Sequence, residues 1–205
     1  TALLPRLSTF VLDKKIDEVK SALITAVRYI GIITVPAALF FLLFGERVAQ
    51  ALFFGISEES AIYIGRLLSA MALGLIPLSI NLVLIRGLNA FENTKYQVLS
   101  NLIINCVAVT LSLIAYVNME PRSVTLGLAL AFTASYWSGI VVTYFLLRKY
   151  TGALALGRTF LFYLKLILAS SISVIAVAYR AERLDLDGNI AALVGVLSAA
   201  SLIYL

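Results

Sequence analysis

The 205-residue chain is 61% hydrophobic and 13% charged, with 16 basic against 11 acidic residues. Soluble domains carry about 25% charged residues, so the composition excludes an ordinary water-soluble fold, and the net charge of +5 reads as the basic bias of a membrane protein's cytoplasmic side rather than as a nucleic-acid footprint. The chain has no histidine and a single cysteine, Cys106, which excludes histidine acid–base chemistry, histidine metal sites and an intrachain disulfide.

The charges gather in connectors and leave apolar stretches of roughly 20 residues, long enough at about 1.5 Å per residue to cross a hydrocarbon core about 30 Å thick. An all-α, polytopic transmembrane helix bundle is predicted, with about six spans and a partial one. In chain order, residues 1–8, "TALLPRLS", read as the end of one span, and 190–205 as a span cut by the end of the sequence. No basic, apolar and small-residue signal pattern opens the chain, so a piece of a longer protein is expected. Residues 1–21 then comprise the end of a membrane helix and a cytoplasmic amphipathic linker; 22–147 hold four spans at 22–44, 62–85, 98–117 and 124–147; and 148–205 hold a cytoplasmic loop and the last two helices, 160–179 and 190–205.

In the linker, "FVLDKKIDEVK" places Leu12, Ile16, Val19 and Leu23 at helical spacing, opposite Asp13, Lys14, Lys15, Asp17 and Glu18. That pattern fits an interfacial helix with lysines at the headgroups or an ordinary connector. Span 22–44 carries Arg28 and Pro36, and span 62–85 carries Arg66 and Pro77. Each proline removes a backbone donor and crowds the carbonyl four residues earlier, at Ile32 and Leu73. The resulting bends can serve rocking motions or be the tolerated kinks common in membrane helices. Both arginines lie near span ends and can snorkel; Arg28 can also meet a phosphate from an inner cavity. After the turn "RGLNAFENTKYQ", Asn101, Asn105, Ala108 and Ser112 share one face of span 98–117. In hydrocarbon the asparagines need either partners on a neighbouring helix or a hydrated cavity. Tyr136 and Trp137 sit near the middle of 124–147, where packing inside the bundle is expected. The Ser-rich "LASSISV" lacks any partner base and reads as helix packing.

The connectors alternate in charge. Arg6, Lys14, Lys15, Lys20, Arg28, Arg86, Lys95, Arg148, Lys149, Arg158 and Lys165 fall on one side, eleven of the sixteen basic residues, and Arg47, Arg66, Arg122, Arg180 and Arg183 on the other. The excess assigns the first side to the cytoplasm. All 11 carboxylates fall in connectors, so no mid-membrane acid offers proton or sodium coupling. No nucleophile–base pair, glycine-rich phosphate loop or metal-ligand spacing appears. No enzyme chemistry, metal or cofactor is expected.

"TALLPRLS" followed by an amphipathic linker resembles the end of the eighth membrane helix in the MurJ/MviN lipid II flippase family, part of the multidrug/oligosaccharidyl-lipid/polysaccharide exporter superfamily. Members often read Arg-x-Phe-Tyr-Ala-x-x-Asp-Thr-Lys/Arg-Thr-Pro at the cytoplasmic turn after the tenth helix. Here Arg86, Ala90, Thr94 and Lys95 match, while Leu88, Asn89, Asn93, Tyr96 and Gln97 replace Phe, Tyr, Asp, Thr and Pro. The resemblance covers the whole chain as the C-terminal lobe of a fourteen-helix transporter. It implies alternating-access flipping of the undecaprenyl-pyrophosphate-linked peptidoglycan precursor across the bacterial plasma membrane. It also implies an apolar groove for the lipid tail at the last two helices. Partners would be that precursor, membrane lipids and cell-wall synthesis proteins, with no nucleic acid. On this reading Arg86 and Lys95 are candidate headgroup contacts, with Arg28, Asn101 and Asn105 as further substrate-binding candidates and Pro36 and Pro77 as conformational ones. Positive-inside anchoring accounts for Arg86 and Lys95 equally. The alternatives are a polysaccharide-lipid or drug exporter of the same superfamily and a non-transporting membrane scaffold for cell-wall synthesis.

Overall fold

The computed structural model of the chain describes residues 3–53, 55, 57–154 and 156–183. They form six helices: α1 (Leu3–Leu12), α2 (Ile16–Leu52), α3 (Glu58–Ala90), α4 (Thr94–Asn118), α5 (Pro121–Thr151) and α6 (Leu156–Arg183). No strand occurs among the described residues. α2, α3, α4 and most of α5 are long and apolar enough to cross a membrane, four candidate spans among the described residues. The expected spans at 22–44, 62–85, 98–117 and 124–147 each fall inside one of these four helices; 160–179 falls inside α6, which is not among the four, and 190–205 lies outside the described residues.

The helices outrun the spans. α2 has 37 residues and α3 has 33, about 50–55 Å of helix against about 30 Å of hydrocarbon. Hydropathy marks only the part in lipid, whereas the backbone ladder continues until a turn breaks it. Between α1 and α2 that turn is Asp13–Lys15, with Lys14 at φ 58° and the Lys15 N–H donating to the Phe10 carbonyl at 2.9 Å. The stretch 10–20 is therefore not one interfacial helix. Its second half is the first turns of α2, where Val19 and Leu23 are fully buried, while Leu12 is 80% exposed.

α2 and α3 run antiparallel and make the most extensive contact in the bundle. Near one end Gly45 and Gly65 let the two backbones touch: a Cβ on Gly65 would lie 2.4 Å from the Glu46 Cα. One turn along, the Ser69 hydroxyl reaches the Phe41 and Leu42 carbonyls at 3.2 and 3.1 Å. α5 closes on α3 where the Thr133 hydroxyl, within 3.1 Å of the Ala129 carbonyl of its own helix, also reaches the Ala70 carbonyl at 3.2 Å, three residues before Leu73, whose carbonyl the buried Pro77 crowds. α6 docks on α2 through Tyr163, whose hydroxyl donates to the Val27 carbonyl at 2.8 Å and whose ring fills the space a side chain at Gly31 would need. Leu7, Leu23, Leu88 and Leu147 anchor the common core.

The outward faces remain apolar: Ile33, Val117 and Phe160 are 73%, 77% and 70% exposed. Large aliphatic and aromatic side chains turned outward over whole helices are stable where the solvent is lipid. The turns at 13–15 and 91–93 and the α5–α6 connection share one end of the bundle, which carries most of the basic connectors; it is called the basic end below.

Candidate functional site

The turn between α3 and α4 is built by local chemistry. α3 ends at Ala90, Glu92 takes φ 55°, and Asn93 caps α4 by accepting the Tyr96 N–H at 3.1 Å. The same Asn93 amide donates to the Tyr150 hydroxyl at the end of α5. Phe91 stacks on the Tyr150 ring at 5.0 Å and Tyr96 meets it edge-on at 5.9 Å. The Lys149 ammonium lies 5.1 Å from the Tyr96 ring centre, a favourable cation–π placement. Three aromatic rings and one amide thus fasten the turn to α5. Arg86, on the last turn of α3, and Lys95, on the first turn of α4, are both exposed. Neither forms an ion pair among the described residues, where the two salt bridges are Lys15–Asp13 and Lys20–Asp17.

Arg28 stands apart from this turn. Its guanidinium lies 5.7 Å from the Phe162 ring centre of α6, and its Nε is buried without a hydrogen-bond partner among the described residues. Asn101 and Asn105 are exposed on α4; the described helices do not cover them. α4 instead meets α5 through Ser100 and Ile104, each one residue earlier and therefore turned about 100° around the helix.

Between α2, α3, α5 and α6 lies an apolar cavity of about 570 Å³, walled by Leu23, Ile80, Tyr144, Phe160, Tyr163 and other side chains. Trp137 is at its wall and 53% exposed, so it is not packed within the bundle as its mid-span position suggested; Tyr136 is half-buried, its ring meeting Phe132 of the same helix edge-on at 4.8 Å. Every carboxylate from Asp13 to Glu120 is exposed. No cluster of potential metal ligands occurs among the described residues.

The family model described as lipid II flippase MurJ matches residues 1–186. The chain belongs to the MurJ family. No curated protein sequence matches it. In this MurJ-family chain the membrane-buried amide is one that sequence reading did not single out. Asn81 of α3 is 1% exposed. Its Oδ1 accepts from the Thr143 hydroxyl of α5 at 2.7 Å, and Thr143 pairs with the Ser100 hydroxyl of α4 at 2.6 Å. With its proton committed to Asn81, Thr143 accepts from Ser100, and the chain stitches three helices together. The Asn81 Nδ2 has no partner among the described residues. The available signal was the isolation of Asn81 in "LSINLVLI" and of Thr143 in "VVTYFLL", since a polar group in an apolar run requires a partner.

Proposed function

We propose that this MurJ-family chain serves the flipping of a polyprenyl-pyrophosphate-linked peptidoglycan precursor across the bacterial plasma membrane by alternating access, as the C-terminal lobe of the transporter. The observation that carries the reading is the family match over residues 1–186. Two features support it. The cavity between α2, α3, α5 and α6 is walled almost wholly by apolar side chains, a surface suited to an isoprenoid tail and not to a sugar. The basic end presents Arg86 and Lys95 as exposed cations without a paired acid among the described residues, and an arginine can hold a phosphate through two parallel hydrogen bonds.

The proposed division of labour follows from these chemistries. Arg86 and Lys95 attract the anionic headgroup at the inner surface, each by about 1 kcal/mol. The apolar cavity takes part of the tail. α3, α4 and α5, joined by Asn81, Thr143 and Ser100, move as one body, and Pro77, inside α3, removes a backbone hydrogen bond where that helix can flex. Transport in this scheme needs no acid, base or nucleophile from the chain.

The test is complementation of cells depleted of their own flippase by the full protein, with outer-leaflet precursor measured by an impermeant modifying enzyme alongside protein level. Restored growth with restored outer-leaflet precursor is the expected result. Full expression and membrane insertion with no precursor reaching the outer leaflet would refute the reading.

A further inference from the structure

We propose that the crevice between α2 and α6 at the basic end is a binding site for an anionic phospholipid of the surrounding leaflet, with Arg28 as its central cation. A guanidinium stays protonated in proteins, and Arg28 lies on α2 about 18 Å past its first residue, Ile16. Its Nε is buried and unpartnered, and its contact across the crevice is the Phe162 face. A cation–π contact offsets only part of the desolvation of a charge. No hydrogen bond or ion pair holds the rest of the group among the described residues, so its two terminal nitrogens remain donors that an anion can reach.

The surroundings supply no acid. Asp17 and Glu18 are about three turns nearer the basic end of α2, with Asp17 already paired to Lys20 at 3.0 Å. α6 carries no carboxylate before Glu182. It does carry two further cations on the Phe162 flank. Arg158 and Lys165 stand four residues before and three residues after Phe162, spacings that share a helix face, and both are exposed. Three cations and one aromatic ring, with no counter-charge, are complementary to a phosphate diester whose acyl chains lie along the apolar outer surfaces of α2 and α6.

The same phosphate chemistry occurs in the transport substrate, and position decides between the two. α6 makes its main contact with α2, and none of Arg28, Arg158, Phe162 and Lys165 is among the side chains that wall the cavity between α2, α3, α5 and α6, so this flank lies outside the space assigned to the substrate's tail. The periphery is where bulk phospholipid is abundant. The inference stands apart from the flipping assignment, because it is read by lipid retention and not by transport.

The experiment uses the full protein purified in phosphatidylcholine nanodiscs and titrated with phosphatidylglycerol, bound lipid being counted by native mass spectrometry. Phosphatidylglycerol should bind the wild type and lose about fivefold in affinity for each of Arg28→Gln and Lys165→Gln, the factor that corresponds to about 1 kcal/mol per basic residue. Arg28→Lys should retain part of the binding, and Arg66→Gln, at the other end of α3, should retain all of it. Equal melting temperatures in phosphatidylcholine alone establish that a variant is folded; if Arg28→Gln is not, Lys165→Gln and Arg158→Gln carry the measurement. Wild-type phosphatidylglycerol affinity in folded Arg28→Gln, or in both α6 variants, overturns the proposal. So does stoichiometric displacement of phosphatidylglycerol by lipid-linked pyrophosphate, which would make the crevice a substrate site.

Discussion

Tyr150 is the residue on which the α3–α4 turn depends, and removing its contacts stepwise separates a hydrogen bond from a ring stack. Tyr150→Phe deletes the hydroxyl that accepts from the Asn93 amide and keeps both ring contacts. One net hydrogen bond is about 1 kcal/mol, or about a fivefold change in the opening equilibrium of the turn. Tyr150→Leu also removes the stack on Phe91 and the edge contact with Tyr96. Each aromatic pair adds about 0.5–1.5 kcal/mol beyond area burial, so the total approaches about 3 kcal/mol and on the order of 100-fold. Asn93 still caps α4 in both variants, so α4 itself remains folded. The assay is amide hydrogen exchange of residues 91–96 in the full protein in nanodiscs. The expected order is wild type, Phe, then Leu, with exchange in the α3 and α5 interiors unchanged. Exchange in Tyr150→Leu within twofold of wild type would show that the rings do not hold the turn.

Gly65→Ala should destabilise the α2–α3 crossing by about 1–3 kcal/mol, the usual cost of overpacking, because the new methyl would meet the Glu46 backbone at 2.4 Å; an unchanged melting temperature in detergent would contradict that close approach. Thr143→Val leaves Ser100 and Asn81 without the hydroxyl that joins them and should cost about 0.6–2 kcal/mol, more than Ser100→Ala; the reverse order in thermal unfolding would place the centre of the seam elsewhere. With cysteines introduced at Glu58 and Lys95 in a Cys106→Ala background, an impermeant thiol reagent added to intact cells should label position 58 and spare 95, and the opposite pattern would invert the assigned orientation. Arg86→Lys should keep insertion and weaken flipping mildly, and Arg86→Ala should lose it, if Arg86 holds the headgroup; normal flipping by Arg86→Ala at normal expression would leave it an anchor.

How much of this was legible in the sequence depends on which physical effect wrote each feature. The helices were legible because lipid imposes a continuous apolar requirement over a fixed thickness, and each described span left its own run of residues. Helix ends were not, because they are set by single backbone events such as Lys14 at φ 58° and Gly152 at φ 73°, to which hydropathy is blind. The amphipathic pattern across 12–23 allows an interfacial helix only because periodicity assumes an unbroken phase; the turn at Asp13–Lys15 resets it, so Val19 and Leu23 are buried while Leu12 is not. The basic turn was visible as a string of polar residues, but its fastening was not, since Tyr150 is 57 residues from Asn93 and nothing local links them.

The asparagines show the limit most directly. Asn101 and Asn105 attract attention because two amides at helical spacing make a pattern within one segment. Asn81, Thr143 and Ser100 make none, for they lie on three helices and become a unit only through tertiary packing. A lone polar residue in an apolar run is an open requirement whose partner must lie on another segment, and Ser100 and Thr143 were each too small to draw notice alone. Polar residues in membrane helices are therefore better read as a set of donors and acceptors to be matched between spans than as faces within one. Under that rule Asn81 is among the first residues to need a partner, and Arg28, with no acid in any described span to match it, is among those left over. For Arg28 the phosphate proposed above supplies the match that no neighbouring helix does among the described residues.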